Sequence, residues 1–106
     1  MTFLAKVNDI VPNTGVCSLY NNKHVAVFRT FDDQYFAIDN IDPFSNASVL
    51  SRGLIGEHDG TYYIASPIYK QRFDLNTGVC MSDDQVKLTT YQLDIVDDEI
   101  FCTGEK

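Results

Sequence analysis

Cysteine and histidine are the first side chains of this 106-residue chain to consider as ligands of a transition metal or as nucleophiles. Three cysteines, Cys17, Cys80 and Cys102, are widely spaced, and no Cys-x-x-Cys pair occurs. We predict that they are reduced, buried thiols that pack as small apolar side chains. His24 and His58 are too isolated to complete the compact set of four nitrogen or sulfur ligands that a structural zinc site needs. The sequence therefore predicts no metal site.

Other catalytic patterns are equally weak. The pairs Asp83–Asp84 and Asp97–Asp98 could bind calcium or transfer protons, but we interpret them as solvated turn residues. Neither a nucleophile elbow nor a glycine-rich phosphate loop is present. Lys70, Gln71 and Arg72 form the only local basic cluster, which is either a docking site or a solvated loop. We therefore predict no active site of the chain's own and no bound dinucleotide.

The composition indicates one globular domain over residues 1–106, with 44% hydrophobic residues and a net charge of −7. An acidic chain is a poor ligand for nucleic acid, because phosphates require a positive surface. The charge either keeps the protein soluble or steers it toward a basic patch on a partner. No apolar run is long enough to span a membrane, and the first residues lack the features of a signal peptide. We expect a cytoplasmic protein that binds no membrane.

The elements that would position functional groups are short strands separated by polar turns. Alternation of side chains and turn pairs such as Asn21-Asn22 predict antiparallel hairpins. We expect a single helical turn within residues 47–52, capped by Ser45 or Asn46 and ended by Gly53, and a plain turn at 82–85. The fold class is all-β, an antiparallel sandwich or partly open barrel. The predicted strands cover residues 15–20, 23–31, 34–39, 54–57, 61–66, 87–96 and 99–102.

Two long connections, around residues 41–53 and 65–78, interrupt this pattern, and long loops on a small β domain are usually functional. The stretches "YFAIDNIDPFSNASVLSRG" and "YYIASPIYKQRFDLNTGVC" resemble the two cluster-binding loops of Rieske iron–sulfur domains. In that family, Cys-x-His and Cys-x-x-His motifs hold a [2Fe–2S] cluster. The resemblance places these four ligand positions at Asp42, Phe44, Ser66 and Tyr69, with Pro43 and Pro67 following the two former cysteines.

None of these four residues is a cysteine or histidine, and a hydroxyl or carboxylate is a poor substitute for a soft thiolate. We therefore expect no iron–sulfur cluster. Phe44 and Tyr69 are predicted to pack against each other or against nearby apolar side chains. Asp42 and Ser66 are predicted to accept hydrogen bonds from loop N–H groups. The two loops would then form a pinned, metal-free tip.

Within the Rieske superfamily, the sequences of both loops resemble those of the small subunits of assimilatory NAD(P)H-dependent nitrite reductases. The resemblance extends over nearly the whole chain. The resemblance implies a non-catalytic subunit that stabilises or regulates a large subunit carrying FAD, siroheme and a [4Fe–4S] cluster, with no cofactor in this chain. The alternatives are a Rieske-like electron-transfer ferredoxin and a β binding module for another oxidoreductase. The candidate partner interface consists of Asp42, Pro43, Phe44, Ser66, Pro67, Tyr69 and Lys70.

Overall fold

The computed structural model of the protein describes all residues, Met1–Lys106, and contains β-strands and two short 3-10 turns. The all-β prediction is confirmed. No helix in the structure is long and apolar enough to cross a membrane. The strands are β1 (Thr2–Lys6), β2 (Thr14–Tyr20), β3 (Lys23–Arg29), β4 (Tyr35–Asp39), β5 (Leu54–His58), β6 (Thr61–Ala65), β7 (Arg72–Asp74), β8 (Val79–Cys80), β9 (Asp83–Lys87), β10 (Thr90–Val96) and β11 (Glu99–Glu105).

The larger sheet has six strands in the order β1-β11-β10-β4-β3-β2, all antiparallel. Its two edge strands approach each other, since the Ser18 hydroxyl on β2 donates a 3.0 Å hydrogen bond to the carbonyl of Leu4 on β1. The sheet therefore curls into a nearly closed barrel. Its interior is filled by an apolar cluster that includes Ile10, Tyr91 and Ile100.

The smaller sheet has five strands in the order β5-β6-β7-β8-β9 and packs on the outside of the barrel. A second apolar cluster lies between the two sheets, with Ile64, Phe73 and Leu75 facing residues of β3 and β4. β4 ends at the first long connection and β6 ends at the second. The beginnings of the same two strands lie together at the opposite end, where the Tyr62 hydroxyl donates to Asp32 at 2.8 Å.

The hairpin β3–β4 separates the two apolar clusters and contributes side chains to both. Val25 and Val27 point into the barrel, whereas Ala26 and Phe28 point toward the smaller sheet. All four side chains are fully buried. The predicted alternation in β3 is thus confirmed, with both faces of the strand apolar and covered.

The predicted hairpin breaks are also confirmed. Asn21 and Asn22 have φ of 49° and 64°, and Asp97 and Asp98 have φ of 52° and 63°. Asparagine and aspartate tolerate this left-handed conformation better than most residues because their short side chains bond locally to the backbone. Two consecutive positive φ values are typical of the tight two-residue hairpin turn, so the turn chemistry explains the strand boundaries.

Three local predictions were wrong. Asp83 and Asp84 lie in the edge strand β9, where a turn was expected, because this segment pairs with β8. Cys17 is exposed, unlike Cys80 and Cys102, because it lies on the edge strand β2. The helical turn spans only Leu50–Arg52, and Val49 occupies its N-cap without a side-chain hydrogen bond, so neither predicted cap is used. Gly53 does end that turn.

Candidate functional site

The first loop is folded back on itself by Asn40, a buried residue that follows β4 directly. Its carbonyl accepts the N–H groups of Val49 and Leu50 at 3.1 and 3.0 Å, and its side-chain oxygen accepts the N–H of Ser51 at 2.7 Å. Its amide nitrogen donates to the Ser48 hydroxyl at 2.8 Å. The backbone carbonyl and the side chain of this one residue thus bind the returning half of the loop and fix where the projecting half begins.

Asp42 organises the projecting half of the first loop. The N–H of Asp42 donates to the carbonyl of Ala47 at 2.8 Å, and the N–H of Asn46 donates to the carbonyl of Asp42 at 2.7 Å. The Asp42 side chain accepts the N–H of Phe44 at 2.9 Å, an Asx-turn contact. Asn46 has the positive φ, 61°, that closes the loop.

Ser66 organises the second loop through the same contacts at the same spacing. The N–H of Ser66 donates to the carbonyl of Gln71 at 2.8 Å, and the N–H of Lys70 donates to the carbonyl of Ser66 at 3.1 Å. The Ser66 hydroxyl accepts the N–H of Ile68 at 3.3 Å, and Lys70 has φ of 63°. The two loops are therefore copies of one backbone motif that starts at Asp42 or Ser66 and continues with a proline.

The two motifs are joined at their first residues. The Ser66 hydroxyl donates a 2.5 Å hydrogen bond to the second carboxylate oxygen of Asp42. Both residues are buried, with exposed fractions of 0% for Asp42 and 1% for Ser66. Each residue thus accepts a loop N–H group, as predicted, and a direct bond between them ties the loops together.

The two aromatic residues of the tip, Phe44 and Tyr69, differ in their contacts and in their exposure. The ring of Phe44 lies 6.2 Å from that of Phe73, a buried residue of the core between the sheets, and Phe44 remains 38% exposed. Tyr69 is 59% exposed and takes part in none of the aromatic pairs or side-chain hydrogen bonds. Phe44 therefore packs on a nearby apolar side chain, the second of the two predicted arrangements, and the predicted contact between Phe44 and Tyr69 is absent.

Only some residues of the candidate interface are exposed at the surface. Asp42 and Ser66 are buried, so they hold the tip without being available for contact. The exposed members of the set are Pro43, Phe44, Pro67, Tyr69 and Lys70. Sequence reasoning missed Asn40 and Phe73, since neither lies in the projecting halves of the loops. An asparagine at the junction of strand and loop is the only available signal for the first.

Two depressions flank the tip. A cleft of about 660 Å³ lies beside the first loop, and its lining includes Lys23, His24, Ile41 and Pro43. A hollow of about 380 Å³ lies beside the second loop, lined by Lys70, Gln71, Arg72, Met81 and Ser82.

Polar groups at the base of the first loop form a small network around Ser48. The Ser48 hydroxyl lies 2.6 Å from the His24 ring nitrogen Nδ1 and also accepts from Asn40. Burial raises the pKa of the nearby Cys17 thiol, and the Ser48 hydroxyl acts in the opposite direction. A raised pKa leaves less thiolate at neutral pH, which does not favour a nucleophilic role for this cysteine.

The remaining candidate ligands are dispersed. His58 is exposed and lies 3.4 Å from its neighbour Asp59. Cys80 and Cys102 are buried in different apolar clusters. No group of three or more histidine, cysteine, aspartate or glutamate residues is placed to hold a metal ion.

The residues at the four Rieske ligand positions do not fit a [2Fe–2S] cluster. Such a cluster needs two thiolates on one iron and two imidazoles on the other. Asp42 and Ser66 instead bond directly to each other, and the phenyl ring of Phe44 has no lone pair to donate. Cys17, exposed on the strand β2, is part of neither loop. The structure therefore offers no donor set for this group.

Comparison with known proteins identifies the family to which this fold belongs. The family profile described as "Rieske-like [2Fe-2S] domain" matches residues 2–103. The chain thus belongs to the Rieske-like [2Fe–2S] domain family. Within that family it is 49% identical to the nitrite reductase (NADH) small subunit of Escherichia coli K12, over 95% of this chain and 94% of that protein.

Two further relatives add structure and context. The NMR structure of the Escherichia coli protein NirD superimposes with a TM-score of 0.87 at 48% identity, covering 95% of this chain and 93% of that one. The nitrite reductase [NAD(P)H] large subunit of Klebsiella oxytoca is 44% identical over 71 residues, which are 66% of this chain and 7% of that protein. A segment similar to this domain therefore forms part of a much longer polypeptide.

Proposed function

We propose that this protein is the non-catalytic small subunit of an NAD(P)H-dependent nitrite reductase, and that it binds the large subunit and stabilises or regulates it. In this proposal the assembly works in the cytoplasm in nitrate assimilation and reduces nitrite to ammonium. The large subunit carries FAD, siroheme and a [4Fe–4S] cluster, and the small chain carries no cofactor.

The observation that carries the proposal is the Asp42–Ser66 hydrogen bond, found in a domain that matches a nitrite reductase small subunit along 95% of its length. The bond joins the two loop positions where a Rieske protein has cysteines. An electron carrier needs a redox centre, and these two side chains are poor substitutes for the thiolates that hold a [2Fe–2S] cluster. A structural or regulatory role therefore fits the loops better than electron transfer does.

The similarity to part of a large subunit supports the same conclusion. In the Klebsiella oxytoca protein, the similar segment is covalently joined to the rest of the polypeptide. A covalent link keeps two domains at a high effective concentration. A separate chain must associate with the large subunit through a binding surface instead. We therefore expect this protein to have such a surface.

The experiment measures nitrite-dependent oxidation of NADH and NADPH by the purified large subunit of the same organism, with and without this chain. We expect the chain to bind the large subunit and to raise its activity or its thermal stability. Iron analysis and paramagnetic resonance of the reduced small chain test the cofactor part, and we expect neither iron nor a signal. An iron-containing chain with a [2Fe–2S] signal would instead support the ferredoxin alternative.

A further inference from the structure

Charge is unevenly distributed on this acidic protein. The chain has fifteen acidic residues, yet within residues 40–53 and 66–72 the only one is Asp42, which is buried. The same two segments contain three exposed cations, Arg52, Lys70 and Arg72. The tip is thus a locally positive region on a chain of net charge −7.

Exposed apolar groups lie in the same two segments as these cations. Phe44, Ile68 and Tyr69 are all more than a third exposed, and Ile68 and Tyr69 lie on a loop closed at both ends by backbone hydrogen bonds. Since both loops are pinned, these side chains are presented at little further cost in conformational entropy. Rigid aromatic and aliphatic groups of this kind are typical of the centre of a protein interface.

The hollow beside the second loop has suitable chemistry for a carboxylate. Lys70 and Arg72 supply two cations to its lining, and no acidic residue lines it. The Ser82 hydroxyl donates to the side-chain oxygen of Gln71 at 2.7 Å, so the rim is ordered. Arg72 is held in place because its guanidinium carbon lies 4.7 Å from the centre of the Tyr63 ring. An aspartate or glutamate side chain of a partner would meet two positive charges there, of which that of Arg72 is held by the Tyr63 ring.

We propose that this two-loop face, made of Pro43, Phe44, Ile68, Tyr69, Lys70 and Arg72, docks on a face of the large subunit that presents carboxylates around an apolar depression. This inference rests on the proposed function and adds the chemistry of the contact. Because the rest of the chain has a net negative charge, an acidic partner is repelled by it as a whole and is attracted by this face. The charge distribution therefore orients the small chain before contact.

The experiment measures association of the purified large subunit with four variants. Tyr69→Ala tests the apolar centre, and its matched control is Phe31→Ala, an even more exposed aromatic residue at the opposite end of the domain. Lys70→Glu tests the rim, and its control is Lys87→Glu, an exposed cation on β9 outside both loops. Neither Tyr69 nor Lys70 has a side-chain hydrogen bond within the chain, and circular dichroism confirms folding of each variant.

We expect Tyr69→Ala to weaken binding about tenfold through faster dissociation. Lys70→Glu should slow association about fivefold at low salt, with a smaller effect at high salt. Both controls should bind like the wild type. If the wild type binds and the loop variants match their controls, the docking face is wrong and the proposed function stands. If Lys70→Glu binds faster than the wild type, the partner's face is basic and the inference fails. If the wild type does not bind at all, the proposed function fails and the inference fails with it.

Discussion

The Ser66 hydroxyl and the Asp42 carboxylate form a buried 2.5 Å hydrogen bond that joins the two projecting loops. Ser66→Ala would leave a buried carboxylate oxygen without this donor, which should lower the free energy of unfolding by about 3 kcal/mol. Urea denaturation of the purified chain measures the change. The matched control is Ser45→Ala in the first loop, which loses only a 3.3 Å contact with the N–H of Ala47 and should cost below about 1 kcal/mol.

A double-mutant cycle then isolates the bond itself. Asp42→Asn combined with Ser66→Ala should be less destabilising than the sum of the two single changes, because the two side chains interact directly. Strict additivity of the two changes would contradict the assignment of this hydrogen bond as the link between the loops.

Phe44 ties the tip to the core through its contact with Phe73. Phe44→Ala should lower stability by about 1.5 kcal/mol, since it removes an aromatic pair together with partly buried apolar area. Amide hydrogen exchange should accelerate in the first loop. Tyr69→Ala is the comparison, and its exchange rates should stay close to those of the wild type. Unchanged protection of the loop in Phe44→Ala would mean that the ring does not hold it.

Asp32 links the two sheets at the end opposite the tip. Hydrogen bonds from the Thr30 hydroxyl and then from the Tyr62 hydroxyl lower the pKa of the Asp32 carboxyl from its ordinary value. A carboxyl whose folded pKa is depressed contributes stability above its unfolded pKa of about 3.9, and that stability is lost as the pH falls through the folded pKa. Acid unfolding should therefore be steeper in the wild type than in Asp32→Asn.

A sharper test of the same contact uses Tyr62→Phe. Removing the phenol hydroxyl should raise the pKa of Asp32, followed by NMR titration of its side chain, while the Thr30 bond keeps part of the depression. Tyr63→Phe provides the control, because the Tyr63 hydroxyl makes none of the side-chain hydrogen bonds and its ring contacts Arg72 instead. An equal shift in both variants would contradict the assigned contact.

Gly53 is needed where the first loop meets β6. A Cβ there would overlap the carbonyl oxygen of Ala65, although the backbone conformation, with φ of −76°, suits any residue. Gly53→Ala should therefore destabilise the fold by about 3 kcal/mol through overpacking alone. Gly60→Ala is the contrasting case, since a Cβ meets nothing there and only the positive φ of 82° is penalised, at about 1 kcal/mol. Thermal denaturation that ranks Gly60→Ala as the worse variant would contradict this reasoning.

Much of the fold follows from local sequence patterns. Asn21-Asn22 and Asp97-Asp98 specify tight turns, and the alternation in β3 specifies a strand, because both signals act between neighbouring residues. β1 has no comparable signal, since its only strand partner is β11, at the other end of the chain. Edge strand β9 also depends on pairing, which overrides the turn preference of Asp83 and Asp84.

The site was predictable to a similar extent. The two loops and the residues at their ligand positions could be named from the sequence, and the acceptor roles of Asp42 and Ser66 follow from their short polar side chains. Their bond to each other could not be predicted, because it spans 24 positions and depends on how the two sheets stack. The contact between Phe44 and Phe73 could not be predicted either, because it also depends on how the two sheets stack.

The hairpin formed by β3 and β4 belongs to both apolar clusters, with Val27 on one side and Phe28 on the other. Neither apolar cluster should unfold while the other stays folded, because loss of either one exposes a face of the same two strands. The domain should consequently unfold in one cooperative transition, without a half-folded intermediate. A partner that binds the loops therefore contacts a domain whose two apolar clusters are joined through the same two strands.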